Sequence, residues 1–149
     1  MINKYKQSAE WPIVTLASQV KFLSGGTPKK DESSYWDGHI PWVSSGEMTE
    51  DRIYSTQHNV TDLGVQNGTR KIPKNTTLVV VRGMSLAKEF RVSITKKETT
   101  FNQDIKAVVP SESIDPIFLF YYLKSQANPI RDSASEAAHG TKKLDMAVL

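Results

Sequence analysis

The sequence of 149 residues contains no cysteine, which excludes disulfide bonds and thiolate zinc sites. Its three histidines, His39, His58 and His139, lack the short spacing that marks a histidine metal pair. No apolar run approaches the ~20 residues of a membrane helix, and the polar amino terminus lacks the apolar part of a secretory signal. We therefore predict a cytoplasmic protein with no membrane contact and no metal or other cofactor, folded as one domain over residues 1–149.

Motifs of common enzyme classes are also missing. The sequence has no Gly-x-Gly-x-x-Gly fingerprint, no phosphate-binding loop and no Gly-x-Ser-x-Gly nucleophile elbow. One nuclease-like pair exists, because Asp104 and Lys106 lie two positions apart on a predicted strand and could assist a divalent ion. The nearby Glu98 falls in a predicted turn, so a solvent-facing alternation on a half-buried strand is the preferred interpretation. A metal-dependent nuclease stays as an alternative.

The net charge is only +3, but the charged residues are unevenly distributed. Residues 31–64 contain seven acidic side chains and one Arg, whereas residues 70–91 contain six Lys or Arg and one Glu. A basic segment can neutralise the phosphates of nucleic acid. Charged residues also coat ordinary protein surfaces, so the segment by itself is explained more simply as a solvated surface.

Residue patterns predict the order of the structural elements. β-Branched and apolar residues predict strands at about residues 40–44, 76–81, 90–94 and 104–109. Residues 61–64 predict a single helical turn that Gly64 ends. Asp115 and Pro116 predict the start of a longer helix, and a last helix is predicted over about residues 129–137. Strands thus precede the main helices, which predicts an α+β fold with a twisted, mainly antiparallel sheet and helices gathered toward the carboxyl terminus.

Several short motifs follow one another along the chain. They are SGGTP at residues 24–28, YWDG at 35–38, IPWVS at 40–44, TDLG at 61–64, IPKNTTL at 72–78, VRG at 81–83, NQ at 102–103, DPIFLFYYL at 115–123 and GTKKL at 140–144. Their order and spacing resemble the target recognition domain of the specificity subunit of type I restriction–modification enzymes. The resemblance extends from about Trp11 to Leu149.

The resemblance implies a function. Such subunits usually carry two target recognition domains separated by long helices, and each domain reads one half of a split target in duplex DNA. The helices dock methyltransferase (M) subunits, and a restriction (R) subunit joins for cleavage. The resemblance thus implies sequence-specific binding of duplex DNA, with catalysis left to these partners and no catalytic residue in this chain. Because only one such domain is present, a half-subunit that forms a self-dimer, or regulates a restriction complex through protein contacts, is the other alternative.

Candidate DNA-contacting residues lie in segments outside the recognisable motifs or at their edges. Arg82 and Lys88 are expected to reach guanine, Glu47 to accept from cytosine, and Ser44, Ser45 and Ser85 to bond to a base or a phosphate. Phosphate positioning is expected of Lys29, Lys30, Arg91, Lys142 and Lys143. Met84, His139 and Thr141 complete the predicted set.

Residues within the motifs are expected to be structural. Trp36 and Trp42 favour packing over base stacking, because large aromatic side chains dominate protein cores. Gly25 and Gly26 favour a tight turn, with close approach to phosphates as the alternative. The Asn102-Gln103 pair has the chemistry to read adenine. We favour a structural role for it, because an element that recurs in a family with varying targets should not select the target.

Overall fold

Strands dominate the first two thirds of the chain in the computed structural model, which describes residues 12–136, 142–146 and 149. The strands are β1 (Val20–Ser24), β2 (Trp36–Val43), β3 (Arg52–Ile53), β4 (His58–Val60), β5 (Lys71–Ile72), β6 (Thr77–Val80), β7 (Arg82–Gly83), β8 (Val92–Thr95), β9 (Thr99–Phe101), β10 (Ile105–Pro110), β11 (Ser135–Glu136) and β12 (Lys142–Lys143). The helices are α1 (Leu16–Gln19), α2 (Asp62–Gly68), α3 (Pro116–Ser125) and α4 (Ala127–Asp132). Short 3-10 helices cover Ser33–Tyr35, Ser45–Glu47 and Met84–Ala87.

The described strands form three sheets. A five-stranded sheet has the order β1-β10-β6-β8-β3, and a four-stranded sheet has the order β4-β2-β9-β5. A small third sheet has the order β11-β12-β7. Only the β2/β9 and β3/β8 pairs are parallel within this set, and the other pairs are antiparallel. The predicted α+β class with mainly antiparallel pairing and late helices is confirmed, although the strands divide among three sheets rather than one.

The five-stranded sheet is covered on both faces, which explains its continuous apolar strands. Val79 belongs to the cluster that packs beneath α3 and α4. Its neighbours Leu78 and Val80 point the other way and pack with residues of the four-stranded sheet, such as Val43 and Phe101. Each such side chain contributes about 1.5–3 kcal/mol through burial, so β6 is a central element of the core.

The start of α3 follows from its first two residues. Asp115 Oδ1 accepts hydrogen bonds of 2.9 Å from the backbone N–H groups of Ile117 and Phe118. Pro116 occupies the first turn, where its missing N–H costs no helical bond. The predicted capping is therefore confirmed, and α3 brings Leu119, Phe120 and Leu123 into the core.

Two helices differ from their predicted extents. α2 runs for seven residues, and Gly64 lies inside it rather than at its end. A Cβ atom on Gly64 would approach the backbone oxygen of Tyr35 to 2.4 Å, so this glycine provides space for a neighbouring chain segment. α4 ends at Asp132, five residues earlier than predicted for that helix. Its Pro129 lies in the first turn, where proline is tolerated.

The connections at one end of the two larger sheets lie side by side. The strand registers place Ser24 opposite Lys106, Ile105 opposite Val80, Val79 opposite Val92, Val43 beside Phe101, and Trp42 opposite His58. The segments that leave β1, β2, β6 and β9, and those that enter β4, β8 and β10, therefore meet at this end. We call it the loop end. It comprises residues 25–30, 44–47, 56–57, 81–91 and 102–104.

Candidate nucleic-acid interface

Most of the predicted DNA-contacting residues lie at the loop end, although they are widely separated in sequence. They are Lys29, Lys30, Ser44, Ser45, Glu47, Arg82, Met84, Ser85, Lys88 and Arg91. The β7/β12 pairing adds Lys143, which lies opposite Arg82. His139 and Thr141 lie outside the described residues, as does the side chain of Lys142. The fold thus brings together the described members of the predicted set.

The segment from Arg82 to Lys88 presents the most accessible chemistry. The Arg82 side chain is exposed and makes no hydrogen bond or ion pair within the part of the chain that the structure describes. Gly83 follows with a φ of +131°, a conformation that favours glycine. Met84 is then 82% exposed, whereas Leu86 is completely buried. The buried Leu86 therefore anchors a short helix that presents the apolar tip of Met84 to solvent, and the exposed Arg82 precedes this helix on β7.

The same segment is fixed at its far end. The backbone N–H of Lys88 donates to the Ser85 carbonyl over 3.0 Å, and the Lys88 carbonyl accepts from Arg131 Nη1 over 3.2 Å. The Lys88 side chain remains exposed. A cation on a fixed backbone can contact a phosphate or a base with less ordering cost than one on a free loop.

Arg91 links two parts of the loop end. Its Nε donates to Glu89 Oε1 over 2.7 Å, and its Nη1 donates to the Ser45 carbonyl over 3.3 Å. The side chain is only 19% exposed. Arg91 therefore holds residues 81–91 against residues 44–47. We predicted a phosphate contact for Arg91 and did not predict this structural role.

Glu47 is engaged within the protein. Its Oε2 accepts from the backbone N–H and the hydroxyl of Ser44 over 3.1 and 2.8 Å, and its Oε1 accepts from the backbone N–H of Gln57 over 2.6 Å. Three donors thus converge on the carboxylate that we predicted to accept from cytosine. This geometry assigns Glu47, and with it the Ser44 hydroxyl, to holding the loop end together.

We expect the Glu47→Ala variant to lose about 1–2 kcal/mol of the free energy of unfolding, because two backbone N–H groups lose their acceptor at a partly solvated site. Urea denaturation measures this loss. Glu50→Ala is the matched control, since Glu50 is exposed and its backbone carbonyl, not its side chain, accepts from Ser93. The control should change the free energy by less than about 0.5 kcal/mol. Equal losses in the two variants would contradict the assignment.

The two tryptophans of the motifs pack together beside an open cleft of about 670 Å³ at the loop end. Trp42 is 6% exposed and donates through Nε1 to the Gly26 carbonyl over 3.0 Å. Trp36 lies edge-on to it at 5.2 Å between ring centroids and donates to the Lys29 carbonyl over 2.9 Å. The predicted packing role is confirmed for Trp42. Trp36 is half-buried and also lines the cleft.

Asn102 and Gln103 both make structural contacts, and Gln103 holds a neighbouring segment, as predicted. Asn102 is buried, and its Oδ1 accepts from the backbone N–H of Asp104 over 3.1 Å. Gln103 Oε1 accepts from the Thr27 hydroxyl over 2.6 Å, which ties the turn after β9 to the segment after β1. Each amide oxygen thus accepts a hydrogen bond within the protein, which supports the structural role over the reading of adenine.

The glycine pair does not form the tight turn that we predicted. A Cβ atom on Gly25 would lie 2.3 Å from the Phe101 carbonyl oxygen, and one on Gly26 would lie 2.3 Å from that of Gly68. The backbone N–H of Gly26 also donates to the Phe101 carbonyl oxygen over 2.9 Å. Both glycines therefore allow close approach, but the partner in this structure is the protein's own backbone.

The fold separates residues of the basic segment 70–91. Arg70 donates to the Ser24 carbonyl near the loop end, whereas Lys71 pairs with Glu98 at 3.3 Å. Lys74 lies in the turn before β6, at the opposite end of the sheet. The charge excess of this segment thus does not correspond to one surface.

Asp104 and Lys106, the nuclease-like pair, lack a metal-binding cluster of acidic or histidine side chains in the part of the chain that the structure describes. Lys106 donates to the Ser24 hydroxyl across β1 and β10, and Asp104 is half-buried. Among the described residues, no group of three or more acidic or histidine side chains could hold a metal ion. The geometry therefore offers no observation that favours the nuclease. Within the same residues, no helix has the length and apolar character needed to cross a bilayer.

Comparison with known proteins decides the family. The model of the type I restriction modification DNA specificity domain matches residues 8–149. The chain belongs to this family. A curated relative of this specificity domain is the type I restriction enzyme EcoR124I/EcoR124II specificity subunit of Escherichia coli, with 32% identity over 138 residues. The match covers 91% of the specificity domain and 34% of that relative, so the chain spans well under half of the relative's length.

Solved structures have the same fold as this specificity domain. The HsdS subunit from Thermoanaerobacter tengcongensis aligns with a TM-score of 0.66 at 14% identity, over 95% of this chain and 35% of that one. The type I restriction-modification system S subunit from M. genitalium aligns with a TM-score of 0.61 at 18% identity, over 97% and 33% of the two chains. At these identities the likeness concerns the fold alone.

Gln57 is a candidate that our sequence analysis missed. It lies outside the motifs and outside the basic segment, and an isolated exposed glutamine carries no pattern. Its position became apparent only from the Glu47 contact and from the cleft that it lines. The antiparallel pairing of β4 with β2, in which His58 lies opposite Trp42, brings it close to the end of β2.

Proposed function

We propose that this chain binds duplex DNA as one target recognition domain of a type I specificity subunit. In this role, it reads one half of a split target through the loop end. The observation that carries the proposal is that the described members of the predicted contact set lie at one end of the two larger sheets. Membership of the specificity family supports the same conclusion.

The loop end has the chemistry that DNA recognition needs. Arg82 suits the O6 and N7 acceptors of guanine, and the apolar tip of Met84 suits the methyl group of thymine. Lys29, Lys30 and Lys88 are exposed cations for phosphate contacts. Buried side chains and internal hydrogen bonds fix the backbone of these residues. This lowers the entropy that binding would cost by ordering them.

We propose that partner subunits carry out catalysis. Specificity subunits are named among the relatives of this chain, and the loop end offers hydrogen-bonding groups and cations rather than a nucleophile with its base. We therefore propose that residues 1–149 act as one recognition domain that directs M and R subunits to its half-site. Methyl transfer and cleavage then occur on those partners.

The test compares the DNA affinity of Arg82→Ala with that of wild type. Affinity is measured at several salt concentrations, both for random-sequence duplexes and for a target that wild type selects from a random duplex library. Binding by the wild type should weaken steeply as salt rises, because bound phosphates release counterions. For the selected target, Arg82→Ala should weaken binding by about fivefold or more, the loss expected of a base-contacting arginine. Lys74→Ala, at the opposite end of the sheet, should bind within about twofold of wild type, the range of a surface substitution.

Four outcomes would count against the proposal. Absence of binding at low salt, up to about 10⁻⁴ M protein, would contradict it, since even non-specific complexes form in that range. Equal losses for Arg82→Ala and Lys74→Ala would mean that the loop end is not the interface. Self-association without DNA binding would favour the protein-interaction alternative, and cleavage in the presence of magnesium would favour the nuclease.

A further inference from the structure

Gln57 lies at the rim of the cleft beside the two tryptophans. The cleft is also lined by Lys30, a residue of the proposed DNA-contacting surface. Gln57 immediately precedes β4, and its neighbour His58 lies opposite Trp42 in the four-stranded sheet. It therefore belongs to the loop end, on the same side as the segment after β2.

The backbone around Gln57 is fixed on both sides. Its N–H donates to Glu47 Oε1 over 2.6 Å, and Glu47 in turn holds Ser44. The hydroxyl of the preceding residue, Thr56, accepts from the backbone N–H of Trp42 over 3.2 Å and donates to the His58 carbonyl over 2.7 Å. A side chain on such a backbone is presented to a ligand in a defined position.

The amide of Gln57 differs from the other amides of the cleft. The acceptor oxygens of Asn102 and Gln103 are engaged by Asp104 and Thr27. The Gln57 side chain is exposed, and neither its oxygen nor its nitrogen makes a hydrogen bond within the described part of the chain. Gln57 is therefore the one amide of these three whose side chain makes no hydrogen bond within the described part of the chain, so binding DNA would break no internal contact of its side chain.

We propose that Gln57 is a specificity-determining residue that selects adenine at one position of the DNA half-site. A carboxamide with both groups available matches the N6 donor and N7 acceptor of adenine in the major groove, and no other base edge offers that adjacent pair. Lys30, on the same cleft, supplies a cation for the neighbouring phosphate. The proposal rests on the proposed function, because it requires that the loop end contact duplex DNA.

The test begins with selection of targets from a random duplex library by the 149-residue chain and by two variants. Gln57→Ala removes the amide, and Gln66→Ala is the control, because Gln66 is an exposed amide on α2 that does not line the cleft. Wild type and the control should enrich the same sequence. Gln57→Ala should lose the preference for adenine at one position by about fivefold or more and keep the others. Thermal unfolding of each variant establishes that it is folded.

A second measurement identifies the atom that is read. The selected duplex is synthesised with 7-deazaadenine at the affected position, which removes the N7 acceptor and leaves Watson–Crick pairing intact. Binding by wild type should weaken by severalfold, whereas binding by Gln57→Ala should not change further. Such non-additivity is the sign of a direct contact between the two groups.

The outcomes separate the two proposals. If wild type enriches a sequence and Gln57→Ala enriches the same one with unchanged preferences, the role of Gln57 is wrong and the proposed function stands. A lost preference for a base other than adenine, or equal effects of 7-deazaadenine on both proteins, also overturns it. If wild type binds no duplex or enriches no sequence, the proposed function itself fails, and the role of Gln57 fails with it.

Discussion

Replacing Gly25 with alanine is expected to lower the free energy of unfolding by at least about 3 kcal/mol. The added Cβ would lie 2.3 Å from the Phe101 carbonyl oxygen, 2.5 Å from that of Asn102 and 2.5 Å from the Phe101 ring. Two of these three atoms are backbone, and Phe101 is completely buried, so the contact cannot be relieved by a side-chain rotation. The segments after β1 and β9 would have to separate.

The matched control for this substitution is Gly46→Ala. A Cβ atom there has no neighbour within 4 Å, and the φ of Gly46 is outside the left-handed region. The free energy of unfolding of Gly46→Ala should stay within about 0.5 kcal/mol of the wild-type value. The melting temperature of Gly25→Ala should fall by about 10 °C, given the usual dependence for a chain of this size. A stable Gly25→Ala protein would mean that the two segments are not packed as closely as described.

Leu86→Ala is expected to have the second large effect, a loss of about 2–5 kcal/mol, because it leaves a cavity in place of a completely buried side chain. Leu86 anchors the short helix that carries Met84, so DNA affinity at temperatures below the unfolding transition should fall as well. The stability loss is measured by urea denaturation and the affinity by titration with the selected duplex.

Met84→Ala separates the two effects. Met84 belongs to the same four-residue helix as Leu86 but is 82% exposed. Its replacement should change the free energy of unfolding by less than about 0.5 kcal/mol and still reduce binding to the selected duplex. Unaltered binding by Met84→Ala would remove Met84 from the interface. A stable Leu86→Ala protein with normal affinity would mean that the helix does not depend on its anchor.

Features governed by local chemistry could be predicted from the sequence. The run of β-branched residues that forms β6 is buried on both faces, and such runs have few structural alternatives. The start of α3 follows from Asp115 and Pro116, whose effects act within one turn. The late position of α3 and α4, together with the earlier strands, was sufficient for the fold class.

Features governed by contacts between distant segments could not be predicted. Gly64 has the sequence signature of a helix end, yet it lies within α2 because the backbone of Tyr35 passes close to it. Glu47 has the chemistry of a base-contacting residue, yet Gln57, ten positions away, engages its carboxylate. The charge of residues 70–91 suggested one surface, but Lys74 and Arg82 lie at opposite ends of β6. In the first two cases the deciding partner belongs to another segment of the chain, and in the third the length of β6 separates the two charges.

The loop end also has a consequence for how the protein folds. Its segments are joined by pairings between remote parts of the chain, as with Ser24 and Lys106, which are 82 positions apart. The β7/β12 pairing likewise brings the carboxyl-terminal residues to Arg82. Contacts of this kind require the closure of long loops, and proteins rich in them fold more slowly than proteins with local contacts. The arrangement of side chains at the loop end therefore depends on pairings across the whole described chain, and a chain shortened at its carboxyl end would keep the individual basic segments without the β7/β12 pairing.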